Sequence, residues 1–391
     1  MSKISQLLQQ PENTATPRLF VAATRQNDGK TTSALGLFAA LQQRLPRVGY
    51  IKPIGQRFIS YENHLIDEDS LLFTKTFNIP TPIESMSPVV IDSSFTRRYL
   101  DDPAELYPRL VDTMVRAFDR SAYEKDVIII EGSGHAGVGA ICDLSNAQVA
   151  RLLGAKAVLV SRGGIGMPVD EIALNKSLFD SYGVEVVGAI LNKVHPRKLE
   201  EIRHYTGKAL ERLGVPLLGV IPENANLAYP NLSQVAEVVK GRWLNGQSTG
   251  QYNRILNVVV GAMTATSLMD YMRPGYLILT PGDREDVLLL AIAANCISGK
   301  APLAGIVLTR NILPSHHIMD MINQTEIPVV ISPEESYTVA SRINSMTVKT
   351  QPRDEDKIPL IKQMVMDHVD TSAILAGLGI SASASGAGTS E

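Results

Sequence analysis

Runs of apolar residues alternate with helical patterns from Leu19 to about Trp243. The runs LFVAAT (19–24), VGYIKP (48–53), DVIIIE (126–131), KAVLVS (156–161), VEVVGAILN (184–192) and VPLLGVI (215–221) are continuous rather than alternating. Strands of that kind are buried on both faces, as in a parallel sheet covered by helices. Between them TTSALGLFAALQQRL, DLSNAQVARLLG and PVDEIALNKSLFDSYG carry helical spacing, with Asp143 as the expected N-cap of the second. The pattern predicts a complete α/β domain over residues 18–243, preceded by an N-terminal extension of residues 1–17.

The polar stretch LNGQSTGQYNR (244–254) breaks this pattern and reads as a flexible connection between two domains. Beyond it ILNVVVG (255–261), YLILT (276–280), LAGIVLT (303–309) and IPVVIS (327–332) predict strands of a smaller α/β domain, expected over residues 255–372. A helix is expected over REDVLLLAIAANC (284–296). Residues 373–391 end in SASASGAGTSE, a low-complexity segment without apolar periodicity, and are expected to form a disordered tail.

Composition narrows the classes. Lys and Arg total 37 against 40 Asp and Glu, a net charge of -3, so no global basic surface points to nucleic acid or membrane, and neither is expected as a partner. Cys142 and Cys296 are the only cysteines, too few for a disulfide framework or a multi-cysteine zinc site. MSKISQLLQQPENTATPR at the N-terminus lacks an apolar signal core, and no run is long enough to span a bilayer. The expected location is the cytoplasm.

The strongest chemical signal is TRQNDGKTT (24–32), directly after the first strand and before the first helix. A P-loop needs flexible backbone to aim N–H groups at phosphate oxygens, a Lys to reach the β and γ phosphates, and a hydroxyl for Mg2+. Gly29, Lys30 and Thr31 supply that core, although Thr24 stands where the first Gly is usual. Thr24, Arg25, Asn27, Asp28, Gly29, Lys30, Thr31 and Thr32 are therefore the candidate ATP-binding residues. Lys52 ends the second strand and Glu131 the third, where open α/β sheets place their ligands. With Lys30 they are the candidate catalytic residues, and Glu131 beside a P-loop can hold Mg2+ or activate a nucleophile. Asp67, Glu68 and Asp69 precede an apolar helical segment, so acids favouring a helix N-terminus are one reading of them. His135 has two readings, a phosphate or acid–base contact and a loop residue without chemistry. The Asn192 amide, at the end of the fifth strand, offers both donor and acceptor to a base edge.

In order and spacing these motifs resemble the dethiobiotin synthetase group of P-loop enzymes. More closely they are similar to the N-terminal region of some phosphate acetyltransferases, in which such a domain is fused to a DRTGG domain. The resemblance covers about residues 18–370. It implies that Thr31, Asp69 and Glu131 organise Mg2+, that Lys30 and Lys52 face phosphates, and that Asn192 contacts adenine. It also implies a homodimer. Arg25 lies where related partition and septum-placement ATPases carry a second Lys, which leaves a phosphate contact across a dimer and a surface ion pair as alternatives. GYLILTPGDREDVLLLAIAAN (275–295) matches the first DRTGG segment, while the later one is reduced to Thr309, Arg310 and Asn311. Loop residues 132–146 differ from the synthetases, so the second small-molecule substrate stays unidentified and biotin biosynthesis is not expected. Two functions follow. One is a Mg2+-dependent ATPase or ligase that activates a small carboxylate or carbamate. The other is a non-catalytic adenine-nucleotide sensor acting through the DRTGG domain on a partner enzyme, in acetyl-phosphate metabolism.

Overall fold

The computed structural model describes residues 10–92, 94–298 and 303–381. The chain divides into two units, Met1–Asn224 with Thr350–Glu391 and Ala225–Lys349.

In the first unit the six apolar runs form strands β1 (Arg18–Ala23), β2 (Val48–Ile51), β3 (Val127–Glu131), β4 (Lys156–Arg162), β5 (Val186–Val194) and β6 (Leu217–Pro222). They pair in parallel in the order β6-β5-β4-β1-β3-β2. Phe20, Ala22, Ile128 and Ile130 join one core cluster. Leu19, Val21 and Ile129, which alternate with them, are also fully buried. Burial of both faces is the reason the runs are continuous. From β1 the chain crosses to the β2 edge, and from β3 it crosses to β4 on the other side of β1. The strand order reverses at β1, which opens a crevice at the carboxyl ends of the central strands.

Four helices matter for the site and its support: α1 (Lys30–Gln42), α2 (Glu68–Phe77), α3 (Met167–Ser181) and α4 (Lys357–His368). Asp67 caps α2, its carboxylate accepting from Asp69 N at 3.0 Å. The helix expected to open on Asp143 begins instead after Ser145, which forms a capping box with Gln148. Asp143 itself adopts a left-handed conformation with φ 54°, unsuited to the extended cap position.

The division of the chain also departs from the expected boundaries. Residues 244–254 are not a connection between units but part of the second one. The Asn245 amide donates to the carbonyls of Ile322, Thr325 and Ile327, at 2.9 to 3.0 Å, so a polar sequence here is internally bonded. Residues 350–372 belong to the first unit rather than to the second. There α4 lies against α1, with Gly36 facing Val365 and the Ile361 carbonyl so closely that a Cβ would clash. The expected tail contains a helix, Thr371–Gly377, capped by Asp370 and burying Ile374 and Leu375. Amphipathic spacing reports that a helix face is covered, not what covers it. Residues 1–9 of the expected extension and 382–391 of the expected tail lie outside the described residues.

The second unit has a five-stranded sheet of β7 (Arg242–Asn245), β8 (Asn257–Val260), β9 (Tyr276–Pro281), β10 (Gly305–Thr309) and β11 (Val329–Ile331). Its order is β7-β11-β10-β9-β8, parallel except for β7 at the edge. Apolar clusters cover both faces. At the turn after β9, Arg284 donates to the carbonyls of Gly261 and Met263 at 2.9 and 3.0 Å, tying the turn to the end of β8. No helix among the described residues is long and apolar enough to cross a membrane.

Candidate functional site

Five neighbouring strands deliver polar side chains to the crevice at their carboxyl ends. Thr24 follows β1, Lys52 follows β2, Glu131 ends β3, Ser161 lies on β4 and Asn192 on β5. All five are buried, in contrast to the usual solvation of such residues.

The loop from Thr24 to Gly29 is held in shape by its own side chains. Asp28 accepts from Arg25 N at 2.9 Å and from Thr24 Oγ1 at 3.0 Å, closing a ring where the usual first glycine is absent. Burial raises the Asp28 pKa above the ordinary carboxylate value, and these hydrogen bonds oppose the shift. The Thr24 hydroxyl also lies 2.9 Å from Ser161 Oγ and 3.3 Å from Glu171 Oε2 of α3. Arg25, with its side chain half exposed, pairs with Glu171 in the same chain. Gly29 has φ 89°, a conformation that favours glycine, and a Cβ there would run into the Asn192 amide. That amide donates to the Asp28 carbonyl at 2.9 Å and accepts from Lys193 N at 2.9 Å. Asn192 thus clasps the loop, where the resemblance assigned it to adenine. Asn27 is left-handed, and its carbonyl accepts from Lys193 Nζ at 2.7 Å. Thr32 lies half-buried in the first turn of α1.

Beyond the loop the structure brings Lys30, Thr31, Lys52, Asp69 and Glu131 into one cluster. Thr31 Oγ1 donates to Glu131 Oε1 at 2.7 Å and lies 3.4 Å from Asp69 Oδ2. Lys30 contacts Glu131, and Lys52 contacts both Asp69 and, at 2.8 Å, Asp67. Burial lowers the Lys30 pKa, with Glu131 opposing. Burial acts against the Lys52 ammonium as well, but Asp69, Glu131 and Asp67 outweigh it and hold its pKa above the ordinary value. With Asp67 the cluster carries three carboxyl groups and two lysines.

Two members escaped the sequence reading. Asp67 is both the cap of α2 and a partner of Lys52, and only the first role shows in sequence. Tyr50, buried in β2, donates its hydroxyl to Glu131 Oε2 at 2.9 Å. Its spacing of two from Lys52 was the available signal, because residues at i and i+2 share a strand face. His135 stays outside the cluster. It is exposed, and its Nδ1 accepts from Gly137 N at 3.2 Å.

The oxygen set formed by Thr31, Asp69 and Glu131 fits Mg2+, a hard cation that commonly takes one or two carboxylates and completes its shell with phosphate oxygens and water. Among the described residues no group of three or more His, Cys, Asp or Glu side chains is placed to hold a metal by itself.

Two family models match the chain. The model of an AAA domain family matches residues 17–231, and that of the DRTGG domain matches residues 234–346. The phosphate acetyltransferase of Nitratidesulfovibrio vulgaris is 25% identical over 377 residues, covering 91% of this chain and 51% of the relative. That of Deinococcus radiodurans is 28% identical over 375 residues, covering 92% and 51%. The chain spans about half the length of the curated relatives it matches. Among solved structures, the septum site-determining protein MinD from Pyrococcus horikoshii, complexed with Mg-ADP, gives 19% identity and a TM-score of 0.35 over 54% of this chain and 83% of that one. The CBS and DRTGG domains of Clostridium perfringens pyrophosphatase, complexed with the activator diadenosine tetraphosphate, give 15% and 0.25 over 45% and 85%. A P-loop domain joined to a DRTGG domain, as in phosphate acetyltransferases, is what the sequence resemblance anticipated.

Proposed function

This chain belongs to the AAA-domain family whose model spans residues 17–231, and from that premise we propose that its first unit binds ATP with Mg2+. The reading continues to ATP hydrolysis or to phosphoryl activation of a small carboxylate or carbamate. The observation that carries it is the meeting of Thr31, Asp69 and Glu131 oxygens beside two lysines, at the start of α1.

In this reading Gly29 and the loop amides take phosphate oxygens, helped by the positive end of α1. Lys30 and Lys52 offset charge on the transferring phosphate, and Thr31, Asp69 and Glu131 hold Mg2+. Mg2+ held by these residues would supply positive charge against the phosphates. Phosphoryl transfer asks the protein mainly for positioning and charge, and a buried, cross-braced cluster supplies both. The proposal includes a homodimer in the cytoplasm.

A second reading rests on the DRTGG match over residues 234–346 and on relatives that are phosphate acetyltransferases. In it the first unit senses ATP without turnover, and the second unit passes occupancy to a partner enzyme of acetyl-phosphate chemistry.

Phosphate release from the purified protein with ATP and Mg2+, alone and with a panel of small carboxylates and amines, separates the two. Release that one compound stimulates and that Lys30→Ala abolishes supports the enzyme. Tight ATP binding without release supports the sensor, and absence of ATP binding overturns both.

A further inference from the structure

We propose that Tyr50 is a positioning residue for the cation site, fixing the rotation of the Glu131 carboxylate so that Oε1 faces Thr31 and the P-loop. The proposal rests on the Mg-ATP reading above.

Rotation about the last bond of a glutamate side chain is soft and has no sharp staggered wells. Thr31 and Lys30 both contact Oε1, so neither fixes the position of Oε2. Glu131 is held at both oxygens, by Thr31 at Oε1 and by the Tyr50 hydroxyl at Oε2, 2.7 and 2.9 Å away. A phenol has an O–H to give and a carboxylate only accepts, so the Tyr50 hydroxyl is the donor of this bond.

The ring that carries this hydroxyl is itself fixed. It stacks on Phe73 of α2 with centroids 3.7 Å apart and planes 13° apart. Phe73 meets Phe38 of α1 edge-on at 5.8 Å. Phe73 follows Asp69 by one helical turn and Phe38 follows Thr31 by two, so each aromatic lies on the helix face that bears the site residue. The three rings therefore set α1, α2 and β2 against one another, on the helix sides that carry Thr31 and Asp69. A phenylalanine would pack here without the cost of burying a hydroxyl. What the hydroxyl adds is the bond to Glu131, and partners of ligand carboxylates of this kind tune metal affinity.

The test is the Mg2+ concentration needed for half-maximal ATP retention, measured for the wild type, Tyr50→Phe and Phe77→Leu, with ATP affinity also measured in EDTA. Tyr50→Phe keeps the stack and removes only the hydroxyl. It should raise the Mg2+ requirement about tenfold, leaving metal-free ATP affinity and thermal midpoint close to wild type. Phe77 packs on the same rings, its centroid 4.2 Å from that of Phe38 and 5.8 Å from that of Phe73, so Phe77→Leu loosens the cluster without touching the hydroxyl and should lower the thermal midpoint while leaving the Mg2+ requirement in place. A Tyr50→Phe requirement within about twofold of wild type, or an equal shift in Phe77→Leu, overturns the positioning role. If the wild type retains no ATP at any Mg2+ concentration, the nucleotide reading itself falls and this proposal falls with it.

Discussion

The Thr31 hydroxyl donates to Glu131 Oε1 at 2.7 Å, and the neighbouring Lys30 ammonium contacts the same oxygen. One carboxylate oxygen is thus shared between a residue assigned to Mg2+ and a residue assigned to phosphate. In the proposed reading a cation held at Glu131 would compete with Lys30 and leave that lysine for phosphate. Glu131→Gln removes the charge that both seek. Its ATP retention should become nearly independent of Mg2+, with metal-free retention equal to or tighter than wild type. Stability should fall by about 3 kcal/mol, because one partner of a buried pair is gone. Nucleotide titrations with Mg2+ and with EDTA, beside urea unfolding, check both. A Mg2+ gain equal to that of the wild type contradicts the assignment.

Lys52 lies between Asp67 and Asp69, all three buried. Lys52→Met should cost about 3–5 kcal/mol, since it leaves two carboxylates together without a counter-charge. Adding Asp67→Asn should restore part of that loss by removing one of the charges. Urea midpoints of the wild type and of the single and double variants decide this, and a Lys52→Met midpoint equal to the wild type would show that the pairing carries no stability.

Gly29→Ala should destabilise the protein by about 1–3 kcal/mol, through a left-handed backbone at a residue with a Cβ. ATP retention should be lost as the loop shifts away from Asn192. Removing the clash with Asn192→Ala should recover only part of the stability, because φ 89° stays unfavourable whatever the space. Full recovery would place the whole cost on the clash.

Asp28 gives a pH signature. Its folded pKa is raised above the ordinary 3.8, chiefly by burial. The folded state then holds the proton more tightly than the unfolded chain. The contribution is fully present below the unfolded pKa and is lost as pH rises through the higher folded value. Asp28→Asn keeps an acceptor for Arg25 N and Thr24 Oγ1 but cannot titrate. The stability difference between wild type and variant should shift against the wild type as pH rises from about 4 toward neutrality. A difference that stays flat across that window, in urea midpoints, contradicts the raised pKa.

Much of the first unit was legible because its strands are buried on both faces and its P-loop lies at a strand-to-helix turn. Lys30, Lys52 and Glu131 were readable from a position at a strand or helix end and Asp69 through the family resemblance, and the structure brings them together. What a linear pattern cannot show is pairing at a distance. Asp67 reads as a helix cap, and its second bond to Lys52 depends on a hairpin that folds α2 back toward β2. Tyr50 reads as one more apolar residue in a strand. The helix Lys357–His368 follows the second unit in sequence yet covers α1 of the first. Residues 244–254 read as a linker because polar side chains usually face water, whereas Asn245 spends its amide on three carbonyls.

The most direct test of the central claim is calorimetric titration of ATP with Mg2+ into the wild type and Lys30→Ala. The account predicts saturable binding by the wild type, weakened at least about tenfold, or about 1.4 kcal/mol, when the Lys30 ammonium is removed. Equal affinity in the two proteins would contradict the assignment of TRQNDGKTT as a phosphate-binding loop.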